Sequence, residues 1–306
     1  MAATYAPRKE PSGGVSLAFL YLFPGLAGFA IIVLLPALMN AGLSLFAWKG
    51  LGVPRFIGSE NYLKLLADDA FWASMQHTAA FILAMAVIPT VLGLMLAAVL
   101  FDYVSTRFGQ AWASFFRAGF YLPQILPISA AGVLWGWILS PIGALNAILK
   151  SMGLDNLALN WLGDADLALA AVMGVMVWLQ LGYALVVFMA GLARADPSLY
   201  EAAEIDGASW LQRLWWITVP LLRPEIFVVG LTTTIAALKV FGPVFVLTTG
   251  GPDDATIVPS YFAYYHFFQT FRVGYGAAIT TVQMIMTIVL GTLFLRVQSQ
   301  RESDSA

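Results

Sequence analysis

Long apolar stretches alternate with short polar segments along the chain. Six stretches hold about 20 or more mostly apolar residues, the length that an α-helix needs to cross the hydrocarbon core of a bilayer. They cover residues 15–38, 78–101, 119–139, 167–192, 226–247 and 275–295. The pattern predicts an all-α, polytopic membrane protein with six transmembrane helices in one membrane domain, residues 15–296, and with both termini on the same side.

The basic residues indicate which side that is. Segments on the side of the termini contain Arg8, Lys9, Arg107, Arg117, Arg194, Arg213, Arg223, Arg296 and Arg301, and the opposite loops contain Lys49, Arg55, Lys64, Lys150 and Arg272. Because cytoplasmic loops carry the excess of Lys and Arg, we expect a cytoplasmic N-terminal tail (residues 1–14), a cytoplasmic C-terminal tail (residues 297–306) and a cytoplasmic loop at residues 193–224.

Composition supports the membrane assignment. Of 306 residues, 60% are hydrophobic and 10% are charged, and the mean hydropathy is +0.82, which is too apolar for a soluble globular chain. The partner that this predicts is the lipid bilayer. A net charge of −2 without a basic patch argues against nucleic-acid binding. The chain has no Cys, which excludes disulfides and thiolate ligands.

The chain lacks the motifs of an enzyme or of an ATPase. None of its five Lys residues follows a Gly, so a phosphate-binding P-loop is absent. The only histidines are His77 and His266, and neither belongs to a zinc-binding or nucleophile motif. We therefore expect no catalytic residue and no metal site. A stand-alone secondary transporter, which typically couples through intramembrane Asp, Glu or His, is the less favoured alternative, because the spans have essentially none.

The loop at residues 193–224 is polar and contains helix signals. Ser198 with Glu201 has the spacing of a capping box after Pro197, which predicts a short helix over residues 199–205 that ends at Gly207. Ser209 with Gln212 predicts a second helix over residues 210–218, stopped by Pro220. We expect Tyr200, Glu201 and Glu204 to project from the surface of the first helix.

These residues resemble a family signature. Glu201-Ala202-Ala203, then Gly207, Ile217 and Pro220, are similar to the EAA loop of inner-membrane permease subunits of ATP-binding-cassette importers, with Val219 where the family usually has Leu. The segments "FIGSENYLKLLADDAFWASMQHT", "FYLPQILPISAAGVLWGWILSPIGALN" and "VLTTGGPDDATIV" resemble the carbohydrate-uptake branch, of the maltose and glycerol-phosphate type.

The resemblance implies how the chain works. In the family the EAA loop is a coupling helix that docks into the cytoplasmic ATPase, which implies this role for Tyr200, Glu201, Ala202, Ala203, Glu204 and Gly207. It also implies a second, homologous permease chain, two copies of an ATP-binding subunit and an extracytoplasmic solute-binding protein. ATP and magnesium are expected on the partner ATPase, with no cofactor on this chain, and the location is the bacterial or archaeal plasma (inner) membrane.

Polar residues at membrane depth are candidates for a substrate path. Lys239 lies about 14 residues, or roughly 21 Å, from the cytoplasmic end of the fifth span, where an ionisable residue is either functional or a snorkelling side chain. The remaining candidates are Phe241, Gln180, Tyr183, Thr233 and Gln283. Where the family often has Asp after the aromatic residue, Phe241 is followed by Gly242. The expected cargo is a sugar, and the alternative is a glycerol phosphate or another polyol derivative.

Overall fold

The computed structural model describes residues 14–304, with the side chains of residues 14–20, 299 and 301–304 excluded. The basic pair of the predicted N-terminal tail, Arg8 and Lys9, and the end of the C-terminal tail lie outside the described residues. Helices make up most of the described chain. The one sheet there pairs strands β1 (Phe46–Ala47) and β2 (Arg55–Phe56) in antiparallel orientation, with Phe46 opposite Phe56.

The helices follow one another closely along the chain. They are α1 (Gly14–Phe29), α2 (Leu35–Leu43), α3 (Glu60–Leu66), α4 (Asp69–Ile82), α5 (Ile88–Ala98), α6 (Ser105–Phe108), α7 (Gln110–Ile125), α8 (Ile128–Ile138), α9 (Ala144–Ser151), α10 (Ala165–Leu192), α11 (Pro197–Ile205), α12 (Trp210–Arg213), α13 (Val219–Leu221), α14 (Arg223–Leu238), α15 (Gly242–Leu247), α16 (Pro259–Tyr264) and α17 (Val273–Asp304). Wider π-helical turns lie at Ala30–Leu34, Leu83–Val87, Val99–Val104, Leu214–Thr218 and Tyr265–Gln269, and a 3-10 turn lies at Asp155–Leu157.

Several of these elements join into helices that are long and apolar enough to cross a membrane. Within the described chain these are Tyr21–Leu43, Asp69–Phe108, Ala165–Leu192 and Val273–Gln298. Two sharply bent helix pairs, Gln110–Ile125 with Ile128–Ile138 and Trp210–Leu221 with Arg223–Leu238, raise the number to six if each pair is one span. The described chain therefore has four to six candidate membrane-spanning helices, in agreement with a polytopic membrane protein. We call Asp69–Phe108 the second span helix.

The predicted third span, residues 119–139, is not one helix. Helices α7 and α8 meet at an angle of 98°. Leu126, at the bend, has an extended backbone (ψ 132°), because the residue before a proline, here Pro127, is disfavoured in helical geometry. The apolar length indicates a membrane segment here, and Pro127 within it interrupts the helix, as expected of a proline inside a span.

The predicted fifth span, residues 226–247, is also interrupted. Helix α14 ends at Leu238 and α15 begins at Gly242, so Lys239 lies at a helix end and not inside a continuous helix. The reason is Pro243, which has no N–H for the carbonyl of Lys239 and whose ring would collide with that carbonyl in a continuous helix. Three residues with irregular backbone, Lys239 to Phe241, therefore lie between two helices.

Helix α10 is the centre of the packing. It contacts α5 and α7 most extensively, and its side chains Val172 and Leu179 belong to the main buried cluster together with Phe81 and Met85 of the second span helix. At Gly182 an added Cβ would lie 2.3 Å from the carbonyl oxygen of Phe120, so only glycine permits this approach. Small residues at such crossings let membrane helices pack at short range.

Candidate functional site

The first short helix of the 193–224 loop begins at Pro197, two residues before the predicted start at residue 199. The Oδ1 atom of Asp196 accepts a hydrogen bond from the Ser198 backbone N–H at 3.0 Å, so Asp196 is the N-cap and the predicted Ser198–Glu201 capping box is wrong. Proline suits the first helical position because it has no N–H to satisfy, which leaves the preceding Asp196 to cap the helix. The bond from the Ser198 N–H holds the pKa of Asp196 below its usual value.

The end of this helix matches the prediction for Gly207. Gly207 has φ +77°, its N–H donates to the carbonyl of Glu204 at 3.0 Å, and the N–H of Ala208 donates to the carbonyl of Ala203 at 2.9 Å. This pair of bonds is the Schellman motif, in which the residue after the C-cap adopts the left-handed conformation. Glycine is preferred there because it has no Cβ to oppose a positive φ.

The second short helix has its predicted start but not its predicted end. The N–H of Gln212 donates to Ser209 Oγ at 3.4 Å and the N–H of Ser209 donates to Gln212 Oε1 at 2.8 Å, which confirms this capping box. The helical path continues past Pro220 to Leu221 and turns by 72° into α14. The π turn before Pro220 widens the backbone and relieves the clash that proline makes with the preceding turn.

The predicted coupling residues divide into an exposed group and one buried residue. Glu201, Ala202, Glu204 and Gly207 are exposed and Ala203 is half-buried. Tyr200, in contrast, is only 8% exposed, so the expectation that it projects outward is wrong.

Tyr200 instead attaches helix α11 to the rest of the protein. Its hydroxyl lies 3.0 Å from the hydroxyl of Thr218, and its ring packs against Phe101 of the second span helix with 5.7 Å between ring centroids. Burial raises the pKa of Tyr200 above its usual value. The side chain is therefore unavailable to a partner protein and acts as an anchor.

Sequence reasoning missed Ile205 and Arg213. Ile205 is the last residue of α11 and is 87% exposed near Gly207, which makes it the more exposed of the two large aliphatic side chains on this helix, the other being Leu199 at 50%. An isoleucine directly after the acidic stretch was the signal available for it. For Arg213 the sequence indicates only a positive charge on the cytoplasmic side.

Arg213 forms two ion pairs. Its guanidinium nitrogens lie 2.9 Å from Asp102 Oδ2 and 3.4 Å from Glu204 Oε2. The side chains of Arg213 and Asp102 are only 14% and 17% exposed, whereas that of Glu204 is 76% exposed. A third ion pair, Arg194 with Glu225, joins the segment after α10 to the start of α14. The 193–224 loop is thus attached to the membrane helices by charge as well as by packing.

The candidate path residues collect around the interruption between α14 and α15. Lys239 and Phe241 line two neighbouring cavities of about 410 and 260 Å³. Gln283 lines the larger cavity and Gln180 lines the smaller one, together with Met85 of the second span helix. Four of the six predicted path residues are therefore brought together by the fold.

Lys239 lies beside a few polar side chains and has no counter-charge in the two cavities. Its side chain is exposed to these cavities, neither of which is lined by Asp or Glu, and within residues 21–298 it forms no ion pair. Next to it, Gln283 Nε2 donates to the carbonyl of Leu238 at 2.6 Å and to Ser260 Oγ at 2.7 Å. The cavity wall thus offers a cation, an amide and hydroxyl groups to a polar solute.

The remaining two path candidates lie elsewhere. Thr233 is buried and donates to the carbonyl of Val229 at 2.6 Å within its own helix. Tyr183 contacts the hydroxyl of Thr232 at 3.1 Å and lines neither of the two cavities. Thr233 is enclosed and the Tyr183–Thr232 contact lies on an exposed surface outside the two cavities, so the fold does not bring these two candidates together with the other four.

Aromatic rings extend from the same interruption. Phe241 stacks on Phe245 at 5.3 Å between centroids, and Tyr264 contacts both of these rings at 5.4 and 5.3 Å. Tyr261 lies 6.4 Å from Phe241. Flat apolar rings beside hydrogen-bonding groups suit solutes that have both apolar faces and hydroxyl edges. In the part of the chain that the structure describes, no group of acidic or histidine side chains could hold a metal ion.

Comparison with known proteins identifies the family. Residues 103–303, well over half of the chain, match the model of the binding-protein-dependent transport system inner membrane component. The chain is 34% identical over 282 residues to the probable ABC transporter permease protein YurN of Bacillus subtilis, covering 92% of this chain and 95% of that one. It is 31% identical to the trehalose/maltose transport system permease protein MalF of Thermococcus litoralis, covering 92% and 93%.

A solved structure has the same fold. A chain of the bacterial alginate ABC transporter, solved in complex with an alginate pentasaccharide-bound periplasmic protein, superimposes with a TM-score of 0.78 at 21% identity, covering 91% of this chain and 92% of that one. The chain is also 30% identical to the lactose transport system permease protein LacF of Rhizobium radiobacter, covering 93% and 94%. By family model and by relatives matched along nearly their whole length, the chain belongs to the inner-membrane components of binding-protein-dependent transport systems.

Proposed function

We propose that the chain forms one half of the translocation pore of an ATP-driven, binding-protein-dependent sugar importer. The observation that carries the proposal is the pairing of an exposed, acidic helix α11 with cavities at an interrupted membrane helix whose walls combine apolar side chains with Lys239, Gln180 and Gln283. Helix α11 suits a contact with an energy-supplying subunit, and the cavities suit a polar solute. As a permease subunit of this family, the chain itself is not the ATPase.

Sugars are the favoured cargo for two reasons. Relatives named for lactose, trehalose/maltose and diacetylchitobiose transport are each at least 30% identical to the chain over 92% or more of its length. In addition, the aromatic rings around Phe241 and the polar groups of Lys239 and Gln283 match the faces and edges of a sugar ring. A glycerol phosphate or another polyol derivative is the alternative cargo, and a stand-alone secondary transporter is the less favoured mechanism.

The 193–224 loop is proposed as the coupling element. Glu201, Ala202, Glu204 and Gly207 present an exposed face, and Ala203 supports it from a half-buried position. Ile205 adds an exposed apolar side chain that fits a groove in a partner better than it fits water. We place this face against a cytoplasmic ATPase, which carries ATP and magnesium while this chain carries no cofactor.

The complete assembly has four further subunits. We propose a second, related permease chain that completes the pore, two copies of the ATP-binding subunit and an extracytoplasmic solute-binding protein. We propose six spans, the fifth of them formed by α14 with α15, with both termini and the 193–224 loop in the cytoplasm. Because the chain has no Cys, single engineered cysteines test this topology, and labelling of Ser198→Cys by an impermeant reagent added outside intact cells would reverse it.

The function is tested on the purified complex. The chain is tagged, expressed with its sister permease, ATPase and binding protein, and reconstituted in lipid nanodiscs. We expect ATP hydrolysis that increases when the binding protein is loaded with a sugar. A permease that assembles without an ATP-binding subunit, or whose transport follows an ion gradient and not ATP, contradicts the proposal.

A further inference from the structure

The contact between Arg213 and Asp102 joins two parts of the chain that are far apart in sequence. Arg213 belongs to the second short helix of the 193–224 loop, and Asp102 belongs to a π turn near the end of the second span helix. A guanidinium nitrogen of Arg213 lies 2.9 Å from Asp102 Oδ2, and both side chains are largely buried. Arg213 also reaches Glu204 on helix α11, at 3.4 Å.

These two ion pairs differ in strength. A buried charge needs its partner because water no longer solvates it, whereas an exposed pair is screened and contributes little. The Asp102–Arg213 pair is therefore the strong contact, and Glu204, which is mostly exposed, is the weak one. Arg213 follows α11 across the short turn at Gly207, so its pair with Asp102 ties the 193–224 loop to the second span helix, in addition to the separate contact of Tyr200 with Phe101.

The second span helix leads from this contact to the cavities. It continues without interruption from Phe108 back to Asp69, and Met85 on it lines the smaller cavity with Lys239 and Gln180. Asp102 and Met85 are about 17 residues apart, which corresponds to roughly 25 Å along a helix. A displacement of α11 that moves Arg213 would be applied to the helix that forms part of the cavity wall.

We propose that Arg213 is the positioning residue through which movement of the 193–224 loop, passed from α11 across the turn at Gly207 to α12, reaches the second span helix at Asp102. The proposal rests on the function proposed above, in which α11 contacts the ATPase. Arg213 does not touch the cargo or ATP. It acts by holding α12 in a fixed position on the second span helix. Without the ion pair, the ATPase stays bound but responds poorly to the loaded binding protein.

Because Tyr200 anchors α11, binding of the ATPase can be measured separately from transmission of movement. Tyr200 holds α11 against Phe101 and Thr218 by ring packing and a hydroxyl contact, independently of charge. Neutral variants of the ion pair therefore keep α11 in place, so binding of the ATPase and transmission of movement are separable measurements.

The test is a double-mutant cycle with Asp102→Asn, Arg213→Gln and both together, in the reconstituted complex. The readouts are the amount of ATPase bound and the ratio of ATP hydrolysis with and without loaded binding protein. We expect each single variant to lower this ratio by about tenfold, within the range typical of coupling between two sites, with the bound ATPase unchanged. The double variant should lower the ratio no further, because both changes remove the same contact.

Two controls complete the design. Glu204→Gln removes only the exposed contact and should leave the ratio within about twofold of the wild type, as expected for a surface pair. Arg213→Lys keeps a positive charge opposite Asp102 and should restore most of the response that Arg213→Gln loses. A single variant that leaves one buried charge without its partner can fail to assemble. In that case the double variant decides the test, because it removes both buried charges.

The failure of each proposal has its own signature. A wild-type complex without stimulated ATP hydrolysis overturns the proposed function. A wild-type complex with normal stimulation, together with an Asp102→Asn complex that responds equally well or single-variant effects that add up in the double variant, overturns only the role of Arg213.

Discussion

Gln283 Nε2 donates to the carbonyl oxygen of Leu238 at 2.6 Å, and this bond joins the last long helix to the end of α14. The last carbonyls of a helix have no partner within the helix, and inside a membrane protein such a group needs another donor. Gln283 supplies it next to Lys239, so the irregular backbone at the cavity is stabilised by a side chain 45 residues away.

Replacing Gln283 by Leu should destabilise the protein. The change removes the donor and leaves the Leu238 carbonyl without this partner, at a cost of about 1 to 3 kcal/mol in the free energy of unfolding. Thermal unfolding in detergent measures the effect. Ser260→Ala, which removes only the second acceptor of Gln283, should have the smaller effect, and an unchanged melting temperature for Gln283→Leu would contradict the role of this bond.

Replacing Lys239 by Met should impair transport without impairing assembly. The aliphatic length is kept and the charge in the two cavities is removed. Loss of a charged hydrogen bond to the cargo should reduce substrate-stimulated transport by roughly 10- to 100-fold. The matched control is Lys150→Met on α9, another exposed lysine. Unchanged transport kinetics for Lys239→Met would mean that Lys239 only extends into the cavities and does not contact the cargo.

Asp196 and Glu201 should separate helix capping from docking. Asp196→Ala removes the side chain that caps α11 and should lower the melting temperature by roughly 2 to 4 °C. Glu201 is exposed and has no side-chain partner in the described part of the chain. Glu201→Ala should therefore leave the melting temperature unchanged and weaken binding of the ATPase. An equal loss of thermal stability in both variants would argue that Glu201 has a structural role.

Gly207 allows a test of backbone conformation alone. An added Cβ at Gly207 would meet no atom within 4 Å, so the cost of a substitution comes from φ +77° and not from a collision. Gly207→Val should cost on the order of 1 to 3 kcal/mol and reduce the response of the ATPase, because β-branched residues are strained there. Gly207→Asn, which tolerates a left-handed conformation, should stay close to the wild type. If both variants respond normally to loaded binding protein, this turn is a simple connector.

His266 should make the stability of the protein depend on pH. Burial, reinforced by Arg272 and opposed by Asp68, lowers the pKa of His266 to about 4. Because the unfolded state takes up a proton near pH 6.5 and the folded state does not, the free energy of unfolding should decrease as the pH falls from 6.5 towards 4, by up to about 3 kcal/mol.

Melting temperatures at several pH values measure this effect. His266→Gln should lose the part of the dependence that belongs to His266, while the other histidine, His77, is present in both proteins. Identical pH profiles for the wild type and His266→Gln would show that the folded state accommodates the protonated ring.

Features that depend on neighbouring residues were predictable from the sequence. The Ser209–Gln212 capping box and the turn at Gly207 follow from side chains that bond within three or four positions along the chain. The lengths of the apolar stretches indicated a membrane protein, and the spacing of the EAA signature indicated its family. One local prediction was wrong, because two neighbouring residues can both cap α11. Asp196, followed by Pro197, is the N-cap in place of Ser198.

Only the tertiary structure decided which apolar and polar groups point inward. In a water-soluble protein an apolar helix face marks the core, but lipid and protein interior are equally apolar, so the sequence pattern does not separate them. Tyr200 is therefore buried against expectation, and Thr233 is enclosed while Lys239 and Gln283 share a cavity wall. The pairing of Asp102 with Arg213, 111 positions apart, likewise depends on how the helices pack, which no local pattern of residues contains.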